Sequence, residues 1–378
     1  MKVLTLGRLP HAEVGGLPMY TANLGAALVE CGVDLTVVHP GSPAPPGRYP
    51  FAVREPGAVA WPGAGRVRSF RQAFAVAREA RAALREVAPD VVHLQYGGAM
   101  DLALLRGVAG RGVPVVVTAH CGRAWAHLAR TPGLAARTLA RADRVLAISR
   151  DQCELFGNAG LPLDRLAQIG SLVEEDFFAP LTTGPTERGA GERPRAVYLG
   201  RIAPEKGLDL VVDALAALTP GERPDFAATG PVSAEYAAEL EARAVAAGVA
   251  DRFRLLAPVS TTAERMAVLD GADFVIHPTR SDVKPLVVIE ALARGLPVIA
   301  SNLPGTVELL SGEGQSFSVG DVAGLVDELR GLLGAGLHRR LAARDVAEVY
   351  HPHAAAEETL RHLHAVAEAP ATRLRRAS

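Results

Sequence analysis

Two acids, Asp282 and Glu290, stand eight residues apart in the stretch HPTRSDVKPLVVIEALARGLPVIASNLP, which runs from His277 to Pro304. The apolar run Phe274 to Ile276 reads as a buried strand and Pro278 to Pro285 as a polar, proline-punctuated loop. Leu286 to Arg294 has helical spacing and is stopped by Gly295 and Pro297. Asp282 therefore falls in the loop and Glu290 on the helix. The residues Lys284, Pro285, Leu286 and Val287 open that helix, where backbone N–H groups lack intrahelical acceptors and can hold a phosphate. A carboxylate can take both hydroxyls of a ribose. One segment could thus grip both halves of a nucleotide, although an ordinary strand, loop and helix with surface acids would read the same way in isolation.

A second cluster supplies cations. The strand Ala196–Leu199 ends in GRIAPEKG, Gly200 to Gly207, and a helix starts near Leu208. Gly200 permits close backbone approach, while Arg201 and Lys206 place two positive charges at the mouth of the strand. Arginine suits bidentate phosphate contact and lysine acts as a point charge, so the pair could neutralise a diphosphate leaving group. There is no GxxxxGK[ST] loop, no complete GxGxxG fingerprint and no D-x-D metal motif.

The elements that must position these groups alternate between short β-like runs and helical stretches from end to end, which predicts an α/β fold with parallel sheets. In the first half the strands fall at Val3–Leu6, Leu35–Val38, Val91–Leu94, Val115–Thr118 and Arg144–Ile148. In the second they fall at Ala196–Leu199, Phe226–Thr229, Phe253–Leu256, Phe274–Ile276 and Val298–Ala300. Thr182 to Pro194, TTGPTERGAGERP, has no large apolar anchor and reads as a linker. The expected division is a Rossmann-like domain over 1–181, the linker over 182–194, a second Rossmann-like domain over 195–349 and a C-terminal helix within 350–378 that packs back on the first domain. Ligands of such sheets sit at the carboxyl ends of strands, so two of them facing each other would make a cleft.

With GRIAPEKG and DVKPLVVIE in one half, the chain resembles the retaining family 4 glycosyltransferases of the GT-B fold, whose blocks read G-R-x-x-x-E-K-G and E-x7-E. The resemblance implies that Arg201 and Lys206 bind the diphosphate of a nucleotide-sugar donor, that Glu290 holds its ribose and that Asp282 lies against the transferred sugar. Gly15 and Gly16, followed by LPMY opening a helix, resemble the family's glycine loop near that sugar. Thr118-Ala-His120 matches a strand-end T-x-H, which makes His120 the first-domain residue expected to touch the sugar. His93, Gln95 and Tyr96, on the strand that follows Asp90, are candidates for the acceptor side. The chain also departs from the pattern. Asp282 replaces a glutamate, Lys284-Pro285 stands where Phe-Gly is usual, Gln95 stands where a second histidine is common, and Gln168-Ile-Gly-Ser171 stands where an Asn-Gly turn is usual before the linker.

The chemistry implied is glycosyl transfer through an oxocarbenium-like transition state, with fixed cations stabilising the departing diphosphate and no metal or other cofactor. The acceptor is read by the first half, where a small soluble molecule such as a natural-product aglycone or aminocyclitol is expected. A lipid-linked or polysaccharide acceptor is the alternative. A phosphorylase or inverting enzyme of the same fold, and a non-catalytic nucleotide-sugar-binding subunit, are rivals that the same residues leave open.

Composition excludes other classes. At 378 residues and 49% hydrophobic content the chain can build two cores, and a formal charge of −1 gives no global case for nucleic acid or an anionic membrane. Cys31, Cys121 and Cys153 lack metal-like spacing and fit a reducing cytoplasm as buried small residues. The N-terminus MKVLTLGRLP is too short in apolar residues for a signal peptide, and no window reaches 18 apolar residues. Membrane contact is therefore expected to be peripheral at most. It would run through a helix over Val67–Val87 bearing Arg71, Arg78, Arg81 and Arg85 and preceded by Arg66; Arg68 lies in its first turn. A solvated face is the favoured reading, with Phe70, Phe74 and Leu84 turned to the core. His351, His353, His362 and His364 are spaced i, i+2, which puts each pair on different helix faces and argues against a metal site.

Overall fold

The computed structural model describes residues 1–11, 15–39, 44–54, 70–120, 132–180, 192–310, 315–335 and 349–369. The expected linker lies outside them apart from 192–194, as do Arg66, Arg68, Cys121 and the basic ATRLRRAS tail. The chain forms two compact units, Met1–Leu172 with Pro352–Ser378, and Val173–His351.

The first unit is built on a parallel sheet of β1 (Lys2–Leu6), β2 (Asp34–Val38), β3 (Ala52–Arg54), β4 (Val91–Tyr96), β5 (Val115–Ala119), β6 (Arg144–Ala147) and β7 (Leu166–Gln168), in the order β3-β2-β1-β4-β5-β6-β7. The second is built on β8 (Arg195–Leu199), β9 (Asp225–Thr229), β10 (Phe253–Leu256), β11 (Phe274–His277), β12 (Val298–Ser301) and β13 (Gln315–Phe317), in the order β10-β9-β8-β11-β12-β13. Every strand pair is parallel. In both sheets the order grows one way from the first strand and then reverses, between β1 and β4 and between β8 and β11. Crevices for ligands open at such reversals, outside the carboxyl ends of the strands.

All ten expected strands are present. The three that were not expected, β3, β7 and β13, are three residues each and lie at sheet edges, where too little apolar alternation is needed to leave a signal. Central strands are buried on both faces. In the second unit Ala196 and Tyr198 of β8 join one apolar cluster with Phe226, Phe274 and Ile276, while Val197 and Leu199 join another with Val275, Ile289 and Leu292. Phe177 belongs to that second cluster, which is why the segment after Leu172 travels with the second unit.

The helix Pro352–Ala367 packs in the first unit on the helix Gly16–Glu30, burying Ala355, Ala356, Thr359 and Leu363. Glu358 Oε2 accepts from Gly170 N–H at 3.0 Å and His353 Nε2 lies 3.1 Å from Glu30. The arginine-bearing helix spans Phe70–Val87 among the described residues and buries Val76, Ala77, Ala80, Ala83 and Leu84. Phe74 corrects the expectation of a core-facing aromatic stripe, because it is 65% exposed. The face is set by small residues at i, i+1, i+4, i+7 and i+8 from Val76, and Phe74 lies on the other side of the helix. Cys31 and Cys153 are half-buried rather than fully buried.

Candidate active site

The loop after β8 is pinned to the loop after β11. The turn Pro204–Lys206 closes on Gly207, whose φ of 72° is left-handed and where an added Cβ would meet the carbonyl oxygen of Pro278 at 2.1 Å. Only glycine fits there. From the other side Arg280 N–H donates to Glu205 O at 2.8 Å and the Arg280 guanidinium forks onto Asp209 at 2.8 and 2.7 Å. The final glycine of GRIAPEKG is therefore the contact that sets the cation loop against the acid loop at the β8/β11 reversal.

That contact puts Lys206 and Asp282 together, with Nζ donating to Oδ2 at 2.6 Å. Asp282 Oδ1 accepts from the N–H of Val283 at 2.9 Å, and His277 Nε2 stands 3.6 Å from Oδ2. His277 is buried and its ring stacks on Tyr198 at 5.9 Å between centroids. Burial alone would raise the Asp282 carboxyl; His277 and the Lys206 ammonium outweigh it and hold the group well below the usual carboxylate range. Burial lowers His277, against the pull of Asp282. Arg201 is more open: its side chain is 51% exposed, with Nη2 2.7 Å from Glu205 Oε1, and its carbonyl accepts from Tyr198 Oη at 3.0 Å. The result is an ionised carboxylate clamping a lysine whose remaining protons can reach a phosphate.

The helix Leu286–Ala293 starts directly after Pro285 and is buried along nearly its whole surface. Its far end closes as the sequence predicts. Gly295 N–H bonds to Leu292 O at 2.8 Å and Leu296 N–H to Ala291 O at 2.9 Å, a Schellman pattern. Arg294, 2% exposed, is saturated by Asp270 and by the carbonyls of Phe177 and Ala179. Gly305 lets the acid loop pack tightly, since a Cβ there would fall 1.6 Å from Val283 O. The Lys284 side chain turns inward, with Nζ 3.0 Å from Glu308 Oε1 and 5.0 Å from the Tyr350 ring centroid. Its buried ammonium is thus committed to the scaffold, and what Lys284, Pro285, Leu286 and Val287 offer a ligand is the helix-opening backbone.

Glu290 lies on that helix, 3% exposed. Its Oε1 accepts from Arg265 Nη1, while Arg265 Nη2 donates to Glu174 Oε1. Burial pushes the Glu290 carboxyl up to about 7; Arg265 draws it down and Glu174 pushes it further up.

In the first unit, His120 follows β5 and its Nε2 meets Gln95 Oε1 at 2.6 Å. An amide oxygen only accepts, so Nε2 carries the proton and Nδ1 is left as an acceptor. Gln95 Nε2 reaches His93 at 3.3 Å, and His93 Nε2 meets Thr118 Oγ1 at 2.8 Å, giving a buried polar chain under the end of the sheet. Burial lowers His120 to about 3 and His93 to about 4, so both rings are neutral at physiological pH. Tyr20 sets its edge against His120 at 4.4 Å. Gly15 caps the helix Gly16–Glu30 and both glycines are exposed, whereas Gly97, at the end of β4, would clash with Leu17 at 2.5 Å if it carried a Cβ. Of the three acceptor-side candidates, His93 and Gln95 are buried in the polar chain, and Tyr96 is 1% exposed within the apolar core.

Sequence reasoning assigned Lys206 and Asp282 to one donor site without pairing them, and it missed His277, Arg265 and Glu174. His277 had a readable signal, a histidine as the last residue of a strand whose neighbours are all apolar. Arg265 and Glu174 had none, because Glu174, Arg265 and Glu290 are joined only by the fold. The C-terminal histidines do not converge: His351 faces Glu175, His353 faces Glu30, His362 meets Arg144 and His364 faces Glu368. Among the described residues no group of three or more His, Cys, Asp or Glu is placed to hold a metal ion.

Two parallel sheets with reversed strand order, one carrying a Lys–Asp pair and a buried glutamate at its reversal, define the GT-B class of glycosyltransferase folds. Sucrose-phosphate synthase from Thermosynechococcus elongatus superposes with a TM-score of 0.80 at 19% identity over 96% of this chain and 99% of its own. The Anabaena protein HepE in complex with UDP does so with a TM-score of 0.76 at 19% identity over 97% and 100%. Residues 14–177 match Glycosyltransferase Family 4 and residues 193–335 match Glycosyl transferases group 1. The chain belongs to the family 4 glycosyltransferases.

Relatives include a D-inositol 3-phosphate glycosyltransferase of Jonesia denitrificans, 42% identical over 29% of this chain and 27% of the relative. A second protein of that name, from Xylanimonas cellulosilytica, is 32% identical over 67% and 66%. The GDP-mannose-dependent alpha-(1-6)-phosphatidylinositol monomannoside mannosyltransferase of Mycolicibacterium smegmatis is 32% identical over 68% and 71%. The matched stretch thus spans just under two thirds of the Xylanimonas relative and about a quarter of the Jonesia relative.

Proposed function

We propose that the protein is a retaining, metal-independent glycosyltransferase that moves a sugar from a uridine or guanosine diphosphate donor to a hydroxyl of a small soluble acceptor, in the cytoplasm and in natural-product biosynthesis. The observation that carries this reading is the Lys206–Asp282 pair at 2.6 Å beside the amides that open the helix Leu286–Ala293. As the bond to the sugar breaks, negative charge grows on the diphosphate, and Lys206, Arg201 and those amides lie where they can stabilise it. Gly200 lets the backbone approach the phosphates, Glu290 takes the ribose, and Gly15 and Gly16 give close approach to the sugar. His120, a neutral ring with Nδ1 as acceptor, takes a sugar hydroxyl. The leaving phosphate removes the proton of the attacking hydroxyl on the same face, so the configuration is retained.

Two of the relatives are named for D-inositol 3-phosphate and one for a phosphatidylinositol mannoside, which supports a polyol hydroxyl as the nucleophile. A lipid-linked acceptor is the second reading, favoured by the exposed Phe74 on the same helix as Arg78, whose side chain is 67% exposed. No helix among the described residues is long and apolar enough to cross a membrane.

A thermal-shift panel of UDP-, GDP-, ADP- and dTDP-sugars tests the donor, since a donor at one hundred times its Kd adds about 2.7 kcal/mol of stability. A shift by one ribonucleotide class, followed by transfer to a polyol, is the expected result. Neither transfer nor hydrolysis with any donor would overturn it in favour of a non-catalytic binding subunit.

A further inference from the structure

Arg265 sits in the first turns of the helix Thr262–Asp270, whose start is fixed by a capping box of Thr261 and Glu264. Its side chain is 18% exposed and its two terminal nitrogens go to different acids, Nη1 to Glu290 and Nη2 to Glu174. Thr262 Oγ1 donates to the same Glu174 oxygen at 3.2 Å, and the guanidinium carbon lies 5.1 Å from the Phe177 ring centroid. The fork is held on every side that would let it turn.

With Glu290 ionised, two carboxylates on one guanidinium leave an excess negative charge in a largely desolvated place. A purely structural pair needs one acid, and an extra buried carboxylate costs stability unless something donates to it. Among the described residues no donor is bonded to Glu290 Oε2, and Arg265 meets Oε1 alone. An excess anion with one unused oxygen repels phosphate and calls for neutral donors, and a pair of vicinal hydroxyls is the neutral donor a nucleotide carries.

We propose that Arg265, anchored by Glu174, is a positioning residue that fixes Glu290 Oε1 and turns Oε2 toward the 2′- and 3′-hydroxyls of the donor, which makes the site selective for ribonucleoside over 2′-deoxyribonucleoside diphosphates. This rests on the reading of Glu290 as the ribose ligand. The charged groups facing Glu290 from the neighbouring elements are Arg265 and Glu174. Losing the guanidinium leaves burial and Glu174, both of which raise the Glu290 carboxyl, so ribose binding moves to higher pH.

The test is calorimetric titration of UDP against 2′-deoxy-UDP, and of GDP against 2′-deoxy-GDP, between pH 6 and 9. The wild-type protein is expected to prefer the ribonucleotide by about tenfold, the worth of one hydrogen bond to a charged acceptor. Arg265→Leu should reduce that preference to within about threefold at pH 7.5, with part of it returning at pH 9, and Arg265→Lys should restore an intermediate preference. Because Arg265→Leu leaves two acids facing each other and can prevent folding, Arg265→Leu combined with Glu174→Gln is the second variant, with melting curves checking the fold of both. If Glu290→Gln abolishes the preference while both Arg265→Leu proteins keep it, the role of Arg265 is refuted and the ribose reading of Glu290 stands. A wild-type protein with no preference, unchanged in Glu290→Gln, refutes the ribose reading and the inference with it.

Discussion

Asp282 and Glu290 are acids eight residues apart on one loop-to-helix segment, yet their surroundings drive them in opposite directions. Asp282 meets a lysine and a histidine at the loop and stays ionised far below neutral pH. Glu290 shares a single guanidinium with Glu174 and is pushed up to about 7. Burial opposes ionisation at both, and the balance of cations to acids decides the outcome. The difference suits different tasks. On the proposed reading, an ionised Asp282 holds Lys206 for a diphosphate, whereas Glu290, near its titration point, gains most from hydroxyl donors.

The largest effect expected is at the Asp282 end. Lys206→Ala should lower turnover at saturating donor by roughly 100- to 1000-fold, the scale of one lost transition-state charge contact. Turnover unchanged in single-turnover assays would break the comparison by removing Asp282's task. Gly207→Ala attacks the scaffold of the same end. With a left-handed φ and a Cβ 2.1 Å from Pro278 O, it should destabilise by roughly 3 kcal/mol in chemical denaturation, and a loss below 1 kcal/mol would contradict the packing account.

The two acids then separate by pH. Protonation of Glu290 turns a charged acceptor into a weaker neutral one, so nucleoside diphosphate binding should weaken as pH falls through about 7. Glu290→Gln should flatten that slope. Asp282→Asn should keep it and bind UDP or GDP roughly threefold less tightly, because Lys206 is no longer held for the diphosphate. Equal slopes in all three proteins would show that the carboxyls do not differ as described. Phe74→Ser, outside both ends, should change stability by no more than about 0.5 kcal/mol.

Much of this was legible from residue order. Largely apolar runs of three to five residues marked all ten longer strands, and the glycine and proline after Arg294 marked the end of the Glu290 helix. The GRIAPEKG and DVKPLVVIE blocks put Lys206 and Asp282 in the same half of the chain, and the β8/β11 pairing that makes them neighbours came from the fold. The rest depends on tertiary contact. Glu174, Arg265 and Glu290 come from three separate elements, and no local period encodes their meeting. Phe74 misled because size suggests burial, whereas the buried face of its helix is paved with alanines. Lys284 carried an ambiguous signal, since a cation in a phosphate-binding loop looks functional until its ammonium is seen against Glu308 and Tyr350.

On the proposed reading, the β8/β11 reversal receives a nucleoside diphosphate with Lys206 on its phosphates. Titrating wild-type and Lys206→Ala proteins with UDP and GDP, and with uridine and guanosine, tests it most directly. The diphosphate of one base should bind the wild-type protein at least about tenfold more tightly than its nucleoside, with most of that gap lost in Lys206→Ala and the nucleoside affinity unchanged. A gap that survives intact in Lys206→Ala would contradict the claim.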